Sequence, residues 1–236
     1  MSPHRSRHFL VFGLGAAAFA AVALSFHSPA RADAAVAVPA PAYAPPSTAV
    51  QETATLSGGC FWGMQGVYEH VKGVEHVVAG YTGGSAATAQ YETVSTGTTG
   101  HAESVQITFD PKVISYARIL QIYVSVAADP TELDFQGPDH GTQYRSEIWV
   151  DSPRQQKIAT DYLAQLTAAH VFAQPIVVRV HPAMPFYAAE AYHQDFLVRH
   201  PDYPYIVIND LPKVAALQAG FPEDYQATPV TDLRQG

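Results

Sequence analysis

Cysteine is almost missing from this 236-residue chain: the sequence holds one, Cys60. A single thiol excludes a structural disulfide within the chain and leaves nothing for a zinc site built on cysteine pairs. Basic residues are also few, with 13 Lys and Arg against 21 Asp and Glu and a formal net charge of −8. A surface of that sign repels phosphate backbones, so no nucleic-acid partner is expected. Charged residues make up 14% of the sequence and hydrophobic ones 47%, which suffices for one well-packed domain. His101, His140, His181 and His193 follow no standard zinc spacing. No metal and no other cofactor is expected.

Long apolar runs are scarce too, and the one that stands out comes first. "MSPHRSRHF" carries Arg5 and Arg7, "FLVFGLGAAAFAAVALSF" (residues 9–26) has no charge, and "SPARADA" offers small residues at Ala30 and Ala32. Basic start, apolar middle and small-x-small end read as a secretory signal peptide over residues 1–32, cut after Ala32. The competing reading is an uncleaved membrane anchor, because the run is long enough to span a bilayer. No cysteine follows the run for lipid attachment, and no twin-arginine pair precedes it. The expected location is therefore outside the cytoplasm, in the periplasm, by a Sec-type route. Removing Arg5, Arg7 and Arg31 takes away three positive charges and no acid, which moves the net charge from −8 to −11. Residues 33–51, rich in Ala and Pro, read as an extended linker. The folded unit then spans 52–225, and 226–236 form a C-terminal tail.

Within the folded unit the periodicity predicts a strand over 52–59 that runs into a glycine turn and a helix to Gly73. A strand over 74–84, a polar loop over 85–100 and a strand over 103–111 follow. The next segments are a helix over 115–127 behind a Ser115 cap, a long loop over 129–143 and a strand over 144–151. Ser152 and Pro153 open a helix to 169. A strand over 175–182, a helix over 188–201 and a short helix over 210–222 complete the chain. This alternation predicts an α+β fold: a two-layer sandwich, with helices over a mixed or antiparallel sheet, in a ferredoxin-like plait.

In "SGGCFWGMQGVYEHV" (57–71) the strand, the Gly-Gly turn and the helix place Cys60 at a helix start. Unpaired N–H groups and the positive dipole end there are expected to favour the thiolate. In an oxidising compartment a purely structural thiol is a liability that Ala or Ser would avoid, so Cys60 points to chemistry.

"GCFWG" (59–63) resembles the active-site signature of the peptide methionine sulfoxide reductases of type A. "GYTGG" (80–84), "YETVSTGTTGHAE" (91–103), "GPDHGTQYRS" (137–146), "PFYAAEAYHQDF" (185–196) and "PYIVINDLPKV" (204–214) resemble that family's other blocks in the same order. The resemblance covers about residues 52–225 and implies an enzyme that reduces methionine S-sulfoxide in proteins, and the free amino acid as well. It implies that Cys60 attacks the sulfoxide sulfur and ends as a sulfenic acid. It implies that Glu103 protonates the sulfoxide oxygen, and that Tyr91 and Tyr144 hydrogen-bond the same oxygen. Phe61 and Trp62 match the pocket for the substrate methyl, Asp139 an acid that orients the site, and His193 a residue of the matching helix block.

Many relatives carry further cysteines near the C-terminus that resolve the sulfenic acid. Here the tail has none, and Ser95 stands where some relatives have a cysteine. The expected partners are therefore oxidised proteins or peptides and an external thiol reductant, thioredoxin-like or glutaredoxin-like. A second departure is "AADPT" (127–131), where relatives often have His before Asp-Pro. Two competing readings remain at this point. One is a Cys-His acyl-transfer enzyme with His193 or His101 as base; the other is a non-catalytic methionine-binding module.

Overall fold

Strand β1 (Glu52–Ser57) runs through the Gly58–Gly59 turn into helix α1 (Phe61–Glu69). Gly59 has φ +88°, and a Cβ on it would stand 2.6 Å from Gln136 Cβ, so this turn requires glycine. Strand β2 (Val74–Thr82) connects through a short helix α2 (Tyr91–Val94) to β3 (Ala102–Phe109). Helix α3 (Tyr116–Ile122), capped by the Ser115 side chain on the Arg118 N–H, continues as a wider π-type turn over Tyr123–Ala127. Two-residue strands β4 (Phe135–Gln136) and β5 (Asp139–His140) precede β6 (Glu147–Val150). Helix α4 (Pro153–Ala168) has the expected Ser152 cap and an early proline. The chain ends through β7 (Arg179–Pro182), β8 (Phe186–Ala188), α5 (Phe196–Arg199), a second π-type turn over Ile206–Asp210 and α6 (Leu211–Gly220). These elements come from a computed structural model that describes residues 35–231 besides Met1. Residues 2–32 of the predicted signal segment, the first linker residues and the end of the C-terminal tail lie outside the described residues.

The main sheet has the order β7-β6-β1-β3-β2-β8. All neighbours are antiparallel except β6 and β7, which run parallel. The expected α+β class with a mixed sheet holds. Its centre, β1-α1-β2-β3-α3-β6 in the order β6-β1-β3-β2, is the ferredoxin-like arrangement. Leu56, Phe61, Val67, Val105, Ile107 and Leu120 are among the buried residues that join helices to sheet. The β1–β3 register ends at Ser57 opposite Ser104. The turn that leaves β1 toward Cys60 therefore emerges beside Glu103.

Several expected elements differ. Residues 188–201 do not form one helix: β8 ends at Ala188, turns follow, and α5 begins at Phe196. Asp195 takes the left-handed φ of +53°. The Gln194 amide bonds the Ala79 N–H and C=O at 3.0 and 2.9 Å, and Glu190 accepts from the Tyr81 hydroxyl and the Tyr91 N–H. Tertiary hydrogen bonds override the helical period here. The polar loop over 85–100 holds a helical turn that starts at Tyr91. Tyr144 lies in a tight turn before β6 rather than in a strand. The described part of the linker is extended, and it is laid along α3 and α4: Tyr162 donates to Pro39 O at 3.0 Å, and Gln165 bonds Ala40 O and Ala42 N.

Candidate active site

Cys60 occupies the cap position of α1, half-buried, at a pocket of about 190 Å³. Phe61, Trp62, Tyr91, Glu103, Asp139, Tyr144 and Tyr205 complete the lining. Each enters from a different part of the fold. The glycine turn and α1 supply Cys60, Phe61 and Trp62; α2 begins with Tyr91; β3 carries Glu103; β5 and the following turn carry Asp139 and Tyr144. The Gly59 N–H donates to Tyr144 O at 3.1 Å and ties that turn to the thiol loop.

Helix α1 spends its first free N–H groups on the site. The Phe61 N–H donates to Glu103 Oε2 at 3.0 Å, and the Trp62 N–H acts to lower the pKa of the Cys60 thiol. Glu103 is 2% exposed. Burial pushes its carboxyl up to about 8, with the charges of Asp139 and Asp210 adding and the Phe61 N–H opposing. Near neutral pH the carboxyl therefore holds its proton. Burial likewise pushes the Tyr91 and Tyr144 phenols upward, and the Glu103 charge adds to both. Both remain hydrogen-bond donors across the working range. Asp139 is raised by burial, while the hydroxyl of Tyr205, which donates to its Oδ2, works against that shift.

The expected ease of thiolate formation does not hold. Burial raises the Cys60 thiol well above the ordinary range, and the charges of Glu103, Asp210 and Asp139 raise it further. The Trp62 N–H is the opposing influence and is outweighed. The helix start is present, but desolvation and surrounding carboxyls win over it.

Trp62 is held on several sides. It stacks on Phe196 with ring centroids 3.8 Å apart and an interplanar angle of 8°, and it meets Tyr203 and Tyr205 edge-on. Its indole N–H donates to His193 Nδ1 at 3.1 Å. His193, 2% exposed, stands behind Trp62 and beside Phe61 and Tyr91, outside the pocket lining. Burial lowers its pKa, so the ring stays neutral at pH 7. The other predicted residues meet in the pocket. Tyr205, to which no role was assigned from sequence, joins them; its only sequence signal is its place in the block 204–214.

This geometry disfavours acyl transfer. Nδ1 of His193 is occupied by Trp62. His101 accepts the Gly84 N–H on Nδ1 and meets Ser85 O through Nε2 at 2.9 Å. Nε2 of His193 is unpartnered, but neither His193 nor His101 lines the pocket that holds Cys60, where a triad base would stand.

Fold and site together define a cysteine-centred oxidoreductase on an α+β scaffold, with acids and phenols around the sulfur where an acyl-transfer enzyme would have a basic histidine. The chain belongs to the family described as peptide methionine sulfoxide reductase, which matches residues 52–224. It is 57% identical to peptide methionine sulfoxide reductase MsrA 2 of Mesorhizobium japonicum, over 77% of this chain and 93% of that protein. It is 44% identical to MsrA 2 of Synechocystis sp., over 75% of this chain and 82% of that one. Among solved structures, reduced Mxr1 from Saccharomyces cerevisiae superposes with a TM-score of 0.58 at 29% identity, over 68% of this chain and 91% of that chain. Methionine sulfoxide reductase A of Corynebacterium diphtheriae gives 0.54 at 29% identity, over 72% and 89%.

Proposed function

We propose that this enzyme reduces methionine S-sulfoxide in proteins and peptides, and the free amino acid, through a Cys60 sulfenic acid. The observation that carries the reading is a buried Glu103, tied to the Phe61 N–H at 3.0 Å, in the same pocket as the thiol and two phenols. A sulfoxide sulfur becomes electrophilic when its oxygen is protonated. Glu103 gives that proton, and Tyr91 and Tyr144 hold the oxygen. The Cys60 sulfur bonds to the substrate sulfur, the oxygen passes to Cys60, and the thioether leaves with two more electrons than it brought. Phe61 and Trp62 receive the methyl group on aromatic faces. Asp139 holds the Tyr205 hydroxyl at the pocket, and His193 holds the Trp62 ring. The chain has no second cysteine, so a thioredoxin-like or glutaredoxin-like thiol regenerates Cys60. The basic, apolar and small-residue order of residues 1–32 supports action in the periplasm.

The test is the mass of the Cys60 peptide after one equivalent of a methionine S-sulfoxide peptide without reductant. One added oxygen on Cys60 is expected. An acyl adduct or an unchanged thiol overturns the reading.

Tyr91→Phe and Tyr144→Phe should each slow single-turnover reduction only modestly, and the double variant much more. Two donors on one oxygen partly replace each other, so the losses should not add. If the double change is no worse than one single change, the phenols do not share the oxygen.

A further inference from the structure

Asp210 closes the π-type turn Ile206–Asp210 at the foot of α6. Its side chain is fully buried, and neither carboxyl oxygen has a hydrogen-bond partner among the described residues. It rests on Gly63: a Cβ built there would stand 2.2 Å from Asp210 Oδ1 and 2.8 Å from Cγ. Gly63 is the third residue of α1, and Cys60 is its cap. At a helix start the cap and the third residue share one face, which is why a Glu at the third position reaches back to the cap in a capping box. Here the third position has no side chain, and a carboxyl from a distant turn fills its space. Asp210 thus fills the side-chain space of the third position, on the face that position shares with the cap residue Cys60, and its charge acts on that thiol.

Each neighbouring group has one acceptor engaged elsewhere, and His193 lies outside the pocket lining. Glu103 Oε2 takes the Phe61 N–H and Asp139 Oδ2 takes the Tyr205 hydroxyl. His193 Nδ1 takes the Trp62 indole. Yet Cys60 rests as a thiol and must lose its proton to attack.

We propose that Asp210 is the base that accepts the Cys60 proton, directly or through one water, as the sulfur attacks the sulfoxide. This rests on the reductase reading above and completes its proton count. The S–H bond of Cys60 breaks and its proton passes to the Asp210 carboxylate. The thiolate electron pair forms the bond to the substrate sulfur while the Glu103 proton passes to the sulfoxide oxygen. The oxygen, with that proton, ends on Cys60 as a sulfenic acid, and the substrate leaves as a thioether. Glu103 is then a carboxylate and Asp210 a carboxylic acid; proton return between them through solvent resets the pair. Burial pushes Asp210 up to about 7, with Lys213 lowering it and the Asp139 charge raising it. Glu103 lies higher, at about 8. Burial raises both carboxyls, and the Asp210 charge raises Glu103 further, so an ionised Asp210 favours the proton on Glu103. The titratable groups that face this pair are Cys60, Asp139, Tyr205 and Lys213, with Tyr81, Tyr91 and Tyr144 on the Glu103 side.

The experiment compares Asp210→Asn with wild type by two rates. Single-turnover reduction of a sulfoxide peptide near pH 7.5 should fall about 100-fold, the scale of a lost general base. Alkylation of Cys60 by iodoacetamide in the free enzyme should become faster, because an ionised Asp210 no longer opposes the thiolate. A merely structural role moves both rates the same way, and that result, or an unchanged reduction rate, overturns the proposal. Should the variant fail to fold, the wild-type pH profile decides. Single-turnover rate should rise as Asp210 ionises near 7 and fall as Glu103 ionises near 8. A profile with no rising limb overturns the proposal. Absence of any Cys60 sulfenic acid in wild type would instead remove the underlying reductase reading.

Discussion

Glu103→Gln is expected to lower single-turnover sulfoxide reduction at neutral pH by about 100-fold or more, the scale of a positioned proton donor. The amide keeps the size of the carboxyl and an oxygen for the Phe61 N–H, so the first turn of α1 keeps its partner. What it loses is an acidic proton. Substrate binding should change far less than the chemical step, because the methyl pocket of Phe61 and Trp62 is untouched. Stability separates lost chemistry from lost structure. The folded pKa of Glu103, about 8, lies above the ordinary 4.5. A raised pKa in the folded state means that stability is present at low pH and declines as pH rises from about 4.5 through about 8. The Gln variant has no such decline. Its melting temperature relative to wild type should therefore climb between pH 5 and pH 8, while its reduction rate stays low throughout. Wild-type single-turnover activity in this variant at pH 7 would remove Glu103 from the mechanism.

Local sequence signals were legible where local forces decide. Gly59, with its left-handed φ, and the spacing of Phe61, Met64, Val67 and Tyr68 located the turn and helix that hold Cys60. Ser115 and Ser152 cap the helices they were expected to cap. Glu103 was harder. A glutamate at a strand start is ordinarily a solvated acid, and only the motif resemblance marked it out. Its burial comes from a register that pairs Ser57 with Ser104 across 47 positions of chain. The helix over 188–201 was lost to bonds from Gln194 and Glu190 to β2 and α2, which no periodicity reports. The ionisation of Cys60 was misjudged for the same reason. The helix start is a local feature, while Asp210 arrives from 150 residues further along and adds to a burial that local sequence does not reveal. Tyr205 enters the pocket just before the π-type turn, and Asp210 reaches the third position of α1 from its end, an irregularity with no clear sequence mark.

Sustained turnover is expected to depend wholly on an added thiol. One equivalent of sulfoxide converts Cys60 to a sulfenic acid, and the chain holds no second cysteine to trap it. Without reductant, product should form in a burst of about one per enzyme and stop, with the thiol count falling to zero and no disulfide within the chain. Dithiothreitol, a glutathione–glutaredoxin pair or a thioredoxin-like protein should restore cycling to different degrees. The reductant sulfur must reach Cys60 inside a pocket of about 190 Å³ walled by Trp62, Tyr91, Tyr144 and Tyr205, so a slender thiol should outpace a bulky one at equal concentration. The thiolate that attacks expels the sulfenic oxygen as water, which needs a proton from the pocket acids; a second thiol then releases Cys60 as the external disulfide forms. Excess oxidant without thiol should carry Cys60 on to sulfinic and sulfonic acids, with activity that dithiothreitol no longer restores. The measurement is product per enzyme against time, with and without thiol, read beside a thiol titration. Many turnovers in the absence of any added thiol would show that Cys60 does not work alone.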